Sequence, residues 1–282
     1  MHAHSDPHSD HETYYVPPPS IWPLTGSIAL LALASGFALT LAKHAVGPYL
    51  IAIGAGILLI MLIGWFGDVI DETMSGKYAS QVEMSFRWGM VWFIFSEVMF
   101  FAGFFGALFY ARNLAVPMLA EAQILWPGFS AAWPTAGPGA SAAITPVPAW
   151  GLPAINTLIL LSSGATVTWA HWGLLRGSKG QLTFGLALTI LLGLTFLGLQ
   201  IHEYGDAAFS IRDGIYGATF YMLTGFHGFH VMLGTAMLIV IFFRAMMEHF
   251  TEQRHFAFEA VAWYWHFVDV VWLLLFVFVY WL

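Results

Sequence analysis

Two carboxylic acids sit where a carboxylate is hardest to keep. Glu97 lies in the run "FIFSEVMFFAGFF", residues 93–105, and Asp269 in "WYWHFVDVVW", residues 263–272. At the centre of a bilayer each costs at least about 2.5 kcal/mol unless it is protonated, paired or hydrated. Such an acid can carry a proton, anchor a lipid or a neighbouring subunit, or hydrogen-bond between helices. Asp269 follows His266 by three residues, so both share one helical face and a structural pair is the favoured reading. Glu97 has no partner nearby in sequence, and both readings stay open for it.

Histidines are the other candidates. "TGFHGFHV" sets His227 and His230 three residues apart, while His171, His202 and His266 belong to other segments. Histidines on facing helices can clamp a haem. HxxH without a nearby carboxylate is nonetheless an incomplete metal set, and imidazole hydrogen bonds inside a bundle explain it equally well. HExxH, GxSxG and the glycine-rich phosphate loops are absent. With no cysteine there is no structural disulfide, no cysteine-ligated copper or iron–sulfur centre and no CxxCH haem attachment. His2, His4, His8 and His11 alternate with Asp6, Asp10 and Glu12. They suit loose metal binding or proton buffering, although an unstructured tail is the plainer reading.

The elements that position these groups follow from composition. The chain has 282 residues, of which 59% are hydrophobic and only 9% charged. Soluble domains carry about 25% charged residues, so an ionic surface is missing. Apolar runs recur at the roughly 20 residues that span a bilayer, which implies an all-α polytopic membrane protein. Seven spans are expected near 21–42, 47–66, 84–112, 151–173, 181–203, 212–245 and 257–281. The connections are short except 113–150, rich in Pro, Ala and Gly with Trp126, Trp133 and Trp150, which is expected to be an irregular surface loop at an interface.

No internal repeat supports a transporter of the inverted-repeat kind, and no basic cluster suggests nucleic acid. The first twenty residues contain no Lys or Arg and so do not open like a signal peptide. Lys77, Arg87, Arg176, Lys179, Arg244 and Arg254 fall on the side of the N-terminus, against Lys43, Arg112 and Arg212 on the other. The positive-inside rule then predicts a cytoplasmic tail over 1–20, an extracytoplasmic 113–150 loop and an extracytoplasmic C-terminus. The expected setting is the inner (plasma) membrane of a bacterium.

Five segments together resemble subunit III of the haem–copper cytochrome c oxidases: "PSIWPLTGS", "FIFSEVMFFAGFF", "SGATVTWAHW", "DGIYGATFYMLTGFHGFHV" and "FEAVAWYWHFVDVVWLLLFVFVYW". They run from the first span to the last. The resemblance implies seven helices in a group of two and a group of five around a V-shaped cleft that holds phospholipids. It implies a non-catalytic subunit of a proton-pumping terminal oxidase, with no haem, copper or zinc in this chain. Haems and copper would belong to the partner subunits I and II, subunit I being the main contact. The family's lipid contacts match Phe66, Glu72, Phe93, Arg244 and His249. Glu97 matches a buried glutamate beside the cleft, expected to modulate and not to perform redox chemistry. The family's WWRDVIRE reads "WFGDVIDE" here, with Gly67 and Asp71 where arginines occur, a departure at one basic headgroup contact. A quinol oxidase subunit is the alternative, but it usually lacks the first two helices that "IWPLTGS" and two spans before residue 70 supply. A channel or transporter would need a polar pathway for which two deep acids are a thin basis.

Overall fold

Without water, backbone N–H and C=O groups must satisfy one another, and a helix does this within a single segment. The computed structural model of the chain describes residues 15–140 and 144–282, and the histidines of the tail (2, 4, 8 and 11) lie outside them. Among the described residues there are eight α-helices: α1 (Trp22–Leu41), α2 (Gly47–Met74), α3 (Ser80–Tyr110), α4 (Val116–Glu121), α5 (Leu152–Leu175), α6 (Lys179–Asp206), α7 (Gly214–Met246) and α8 (Phe256–Leu275). A π-helical turn over Ala111–Ala115 joins α3 to α4, and another over Phe276–Trp281 extends α8. Seven continuous helical stretches are long and apolar enough to cross a membrane, as expected. Among the described residues there is no strand.

Proline begins several of these helices. Pro23, Pro48 and Pro153 stand in the first turn of α1, α2 and α5, where a missing N–H removes no helical bond. Pro117 differs, since it lies inside the continuous stretch that runs through the π turn into α4, where its missing N–H removes a helical bond. A proline ring displaces the preceding carbonyl from its regular partner, which is a sufficient reason for the wider turn there.

Two ends differ from the sequence expectation. The second helix continues to Met74 and the third, through its π turn, to Glu121. Charges at Asp68, Asp71 and Glu72 end the apolar run, yet backbone hydrogen bonding carries the helix past that point. The long connection therefore starts at 122 and not at 113. It is irregular, and it docks onto the start of α7: the backbone N–H groups of Ile215 and Tyr216 donate to the Ala136 and Thr135 carbonyls at 3.4 and 3.3 Å. Trp133 meets the Tyr216 ring at 5.6 Å, and Trp150 meets Trp281 at 5.6 Å.

The chain divides into two compact units, residues 1–86 and 87–282. In the first, α1 and α2 pack through small residues. A methyl group added at Gly36 would lie 2.7 Å from the Ile51 nitrogen, and one at Gly54 2.8 Å from the Leu33 nitrogen, so the two backbones touch. In the second, α8 is the central helix, with Trp265, Val268, Trp272 and Leu275 wholly buried. The Trp265 ring fills a notch left by Gly193 on α6 and Gly234 on α7. Its Nε1–H donates to Ser163 Oγ at 2.9 Å, and that of Trp272 to Thr157 Oγ1 at 2.9 Å, so both indoles are satisfied from α5. Helix α3 joins this core through long rings, Phe101 packing 4.9 Å from His230 and 6.1 Å from Phe267.

Candidate functional site

Glu97 has a partner 133 residues away. α3 brings its Oε2 to 2.8 Å from Nε2 of His230 on α7. The other ring nitrogen of His230, Nδ1, lies 2.6 Å from the Phe226 carbonyl. A carbonyl only accepts, so Nδ1 carries a hydrogen. The 2.8 Å contact then needs one further proton, on Glu97 as a carboxylic acid or on His230 as an imidazolium. Either way the pair is neutral overall and holds one mobile proton. Tyr264 stacks on the imidazole at 6.4 Å and 16°, and the His230 side chain is nearly buried.

Asp269 and His266 lie close, with Oδ2 3.6 Å from Nδ1, longer than a hydrogen bond. His266 Nε2 donates to Thr168 Oγ1 at 3.2 Å, because that hydroxyl already donates to the Gly164 carbonyl. Asp269 Oδ1 is buried without a hydrogen-bond partner among the described residues. Gly164 makes the room: a side chain there would collide with the Asp269 carboxylate. His227 and His230 do not act together. His227 Nε2 donates to the Val268 carbonyl at 3.1 Å and ties α7 to α8, while His230 faces Glu97.

A buried acid besides Asp269 escaped the sequence reading. Glu203 is 2% exposed, its Oε1 accepting from Tyr280 Oη at 2.6 Å and Gln200 Nε2 at 3.3 Å. It stands at the expected end of the fifth span, where an acid draws no notice. The spacing QxxE, which sets Gln200 and Glu203 on one face, was the available signal.

The residues matching the family's lipid contacts fall in both units. In the first, Phe66 is exposed, and Glu72 accepts from Tyr15 Oη at 2.9 Å and Tyr78 Oη at 2.6 Å. Burial, then the hydrogen bond to Glu72, raises the Tyr78 phenol well above its ordinary value. The hydrogen bond to Glu72 is the main cause of a rise at Tyr15. In the second unit, Phe93 is half exposed and stacks on Tyr264 at 6.1 Å. Arg244 is 8% exposed, lies 4.7 Å above the Phe250 ring and keeps Nε without a hydrogen-bond partner. Among the described residues no carboxylate pairs with it. The His249 backbone N–H donates to the Arg244 carbonyl at 3.0 Å, and its Nδ1 is buried and unpartnered.

A further cluster was not anticipated. His171 near the end of α5, His255 at the start of α8 and Glu259 one turn later bring donor atoms within 4.8 Å of one another. Arg87 pairs with Glu259 from α3. The HxxxE spacing of "HFAFE" was legible, but His171 stands 84 residues before His255 and no local pattern links them.

The family model "Cytochrome c oxidase subunit III" matches residues 11–282. "Cytochrome c oxidase subunit 3" of Cyprinus carpio is 46% identical over 269 residues, covering 95% of this chain and 96% of the relative. The proteins of the same name from Danio rerio and Scyliorhinus canicula are 46% and 45% identical over the same shares. These relatives are from fishes and a shark, which corrects the expected bacterial plasma membrane. A multi-pass membrane protein stands, on seven spanning helices and a match that covers them all. The chain belongs to the cytochrome c oxidase subunit III family.

Proposed function

We propose that this chain supports proton uptake by, and the durability of, subunit I of a haem–copper oxidase, acting through bound phospholipid. In this reading the haems and copper reside in partner subunits, subunit I makes the main contact and subunit II a lesser one. The observation that carries the lipid role is Arg244. A guanidinium sunk to 8% exposure at a helix end, with no carboxylate pairing among the described residues, calls for an external anion. A phosphodiester headgroup is the anion a membrane supplies, and a planar fork of donors suits it. His249, with an unpartnered ring nitrogen one turn on, adds a second donor or acceptor. The Glu97–His230 pair supports the proton side, since it stores one proton in an otherwise apolar helix contact.

Arg244→Ala in the purified complex is expected to lower the phospholipid retained per complex, measured by mass spectrometry of extracted lipid. Unchanged lipid content would remove the basis for this placement.

A further inference from the structure

Glu259 has more company than a carboxylate needs. Its Oε2 pairs with the Arg87 guanidinium, and its Oε1 faces His255 Nε2 at 3.2 Å. His255 Nδ1 lies 3.0 Å from the Thr251 carbonyl and must be the donor there. In neutral His255, Nε2 therefore presents a lone pair to a carboxylate oxygen. Two lone pairs at 3.2 Å repel, so a positive species belongs between them: a second proton or a metal ion. His171 stands beside them, its ring 5.5 Å from that of His255, with Nε2 buried and without a hydrogen-bond partner among the described residues.

We infer that His171, His255 and Glu259 form a site for a divalent ion of the zinc type, which competes with Arg87 for Glu259. Two imidazoles and a carboxylate are the donors zinc takes in three-ligand sites, with the fourth position left to water. Calcium and magnesium would ask for more oxygens than the cluster offers. Zinc bonds of about 2.0–2.1 Å in a tetrahedron set donor atoms about 3.3 Å apart. The His255–Glu259 contact is already at that spacing, and the 4.8 Å bound on the group leaves about 1.5 Å to close. The Thr251 carbonyl on Nδ1 fixes the His255 ring in the orientation that metal-bound histidines take from such a partner.

Arg87 on Oε2 and the ion at Oε1 draw on one carboxylate, so each cation weakens the other's hold. Arg87 has somewhere to go. It lies 5.4 Å above the Phe256 ring and is partly exposed, so it keeps a favourable contact when Glu259 leaves it. The site thus reads a metal ion as a shift of Arg87 from the Glu259 carboxylate toward the Phe256 ring, both on α8. This goes beyond the lipid-supporting role and does not depend on it. It also revises the expectation that the chain holds no zinc.

The test uses the intact purified oxidase complex, stripped with a chelator and titrated with Zn²⁺ alone. Bound zinc is counted by mass spectrometry, and its ligands are read by X-ray absorption at the zinc edge. The wild-type complex should gain one saturable site with two imidazole ligands, absent from His171→Gln and His255→Ala. Loss of one ligand should weaken binding by at least about tenfold. Arg87→Gln should tighten it several-fold, because the competing cation is gone. Equal stoichiometry in the wild type and both histidine variants would overturn the site, as would a zinc spectrum lacking two imidazoles. Unchanged or weaker affinity in Arg87→Gln would overturn the competition.

Discussion

Replacing Glu97 separates a relay from a structural pair. In Glu97→Gln the amide N–H₂ can donate to His230 Nε2 across the present 2.8 Å, while Nδ1 stays on the Phe226 carbonyl. Shape, one hydrogen bond and overall neutrality are all retained. The initial rate of oxygen reduction should then stay within about twofold, a barrier change of under roughly 0.5 kcal/mol. Glu97→Ala is different. It leaves a nearly buried imidazole nitrogen without its partner, at a cost of about 1–3 kcal/mol. Even about 1 kcal/mol, if expressed in the inactivation barrier, shortens lifetime by roughly fivefold. The assay is oxygen uptake by the reconstituted complex, followed from the initial rate to the number of turnovers before activity fails. Proton release per electron is recorded alongside. A tenfold fall in initial rate or proton yield in Glu97→Gln would falsify the supporting role, because an amide cannot pass a proton by ionising.

Gly164→Val should collide with the Asp269 carboxylate and destabilise the bundle by about 1–3 kcal/mol, seen as a lower midpoint of thermal inactivation. An unchanged midpoint would show that the two helices yield there freely. Tyr78 carries a pH prediction. Its folded-state value is raised, so its stabilisation is complete below the ordinary phenol value of about 10 and is lost as pH rises further toward the folded value. Tyr78→Phe should flatten the alkaline limb of the stability curve above about pH 10, and an identical limb would count against the Glu72 contact. Arg244→Ala and the zinc titration complete the set, with retained lipid and zinc-edge ligands as their readouts.

The spans were legible because lipid forces apolar runs of helix length, and every one of the seven fell where hydropathy set it. Their ends were less so. Charge at Asp68 and Glu72 ends the apolar run, whereas the helix ends later, where Ser75 and Gly76 close it. The sites depended on distance along the chain. His266 and Asp269 share a turn and could be paired by counting, although their 3.6 Å separation could not. His230 could not be assigned to Glu97, nor His171 to Glu259, because helix packing alone decides which faces meet. The resemblance carried the functional reading further than spacing did.

The tryptophans of α8 impose an order on biosynthesis. α5, α6 and α7 leave the ribosome first, carrying a notch at Gly193 and Gly234 and hydroxyls at Ser163 and Thr157 that await indole donors. Until α8 arrives, the notch lacks the Trp265 ring that fills it. Insertion of that helix then closes the core and engages both donors in one step. A chain interrupted before residue 256 would therefore carry six of the seven spanning stretches, with the seam between α5, α6 and α7 left open.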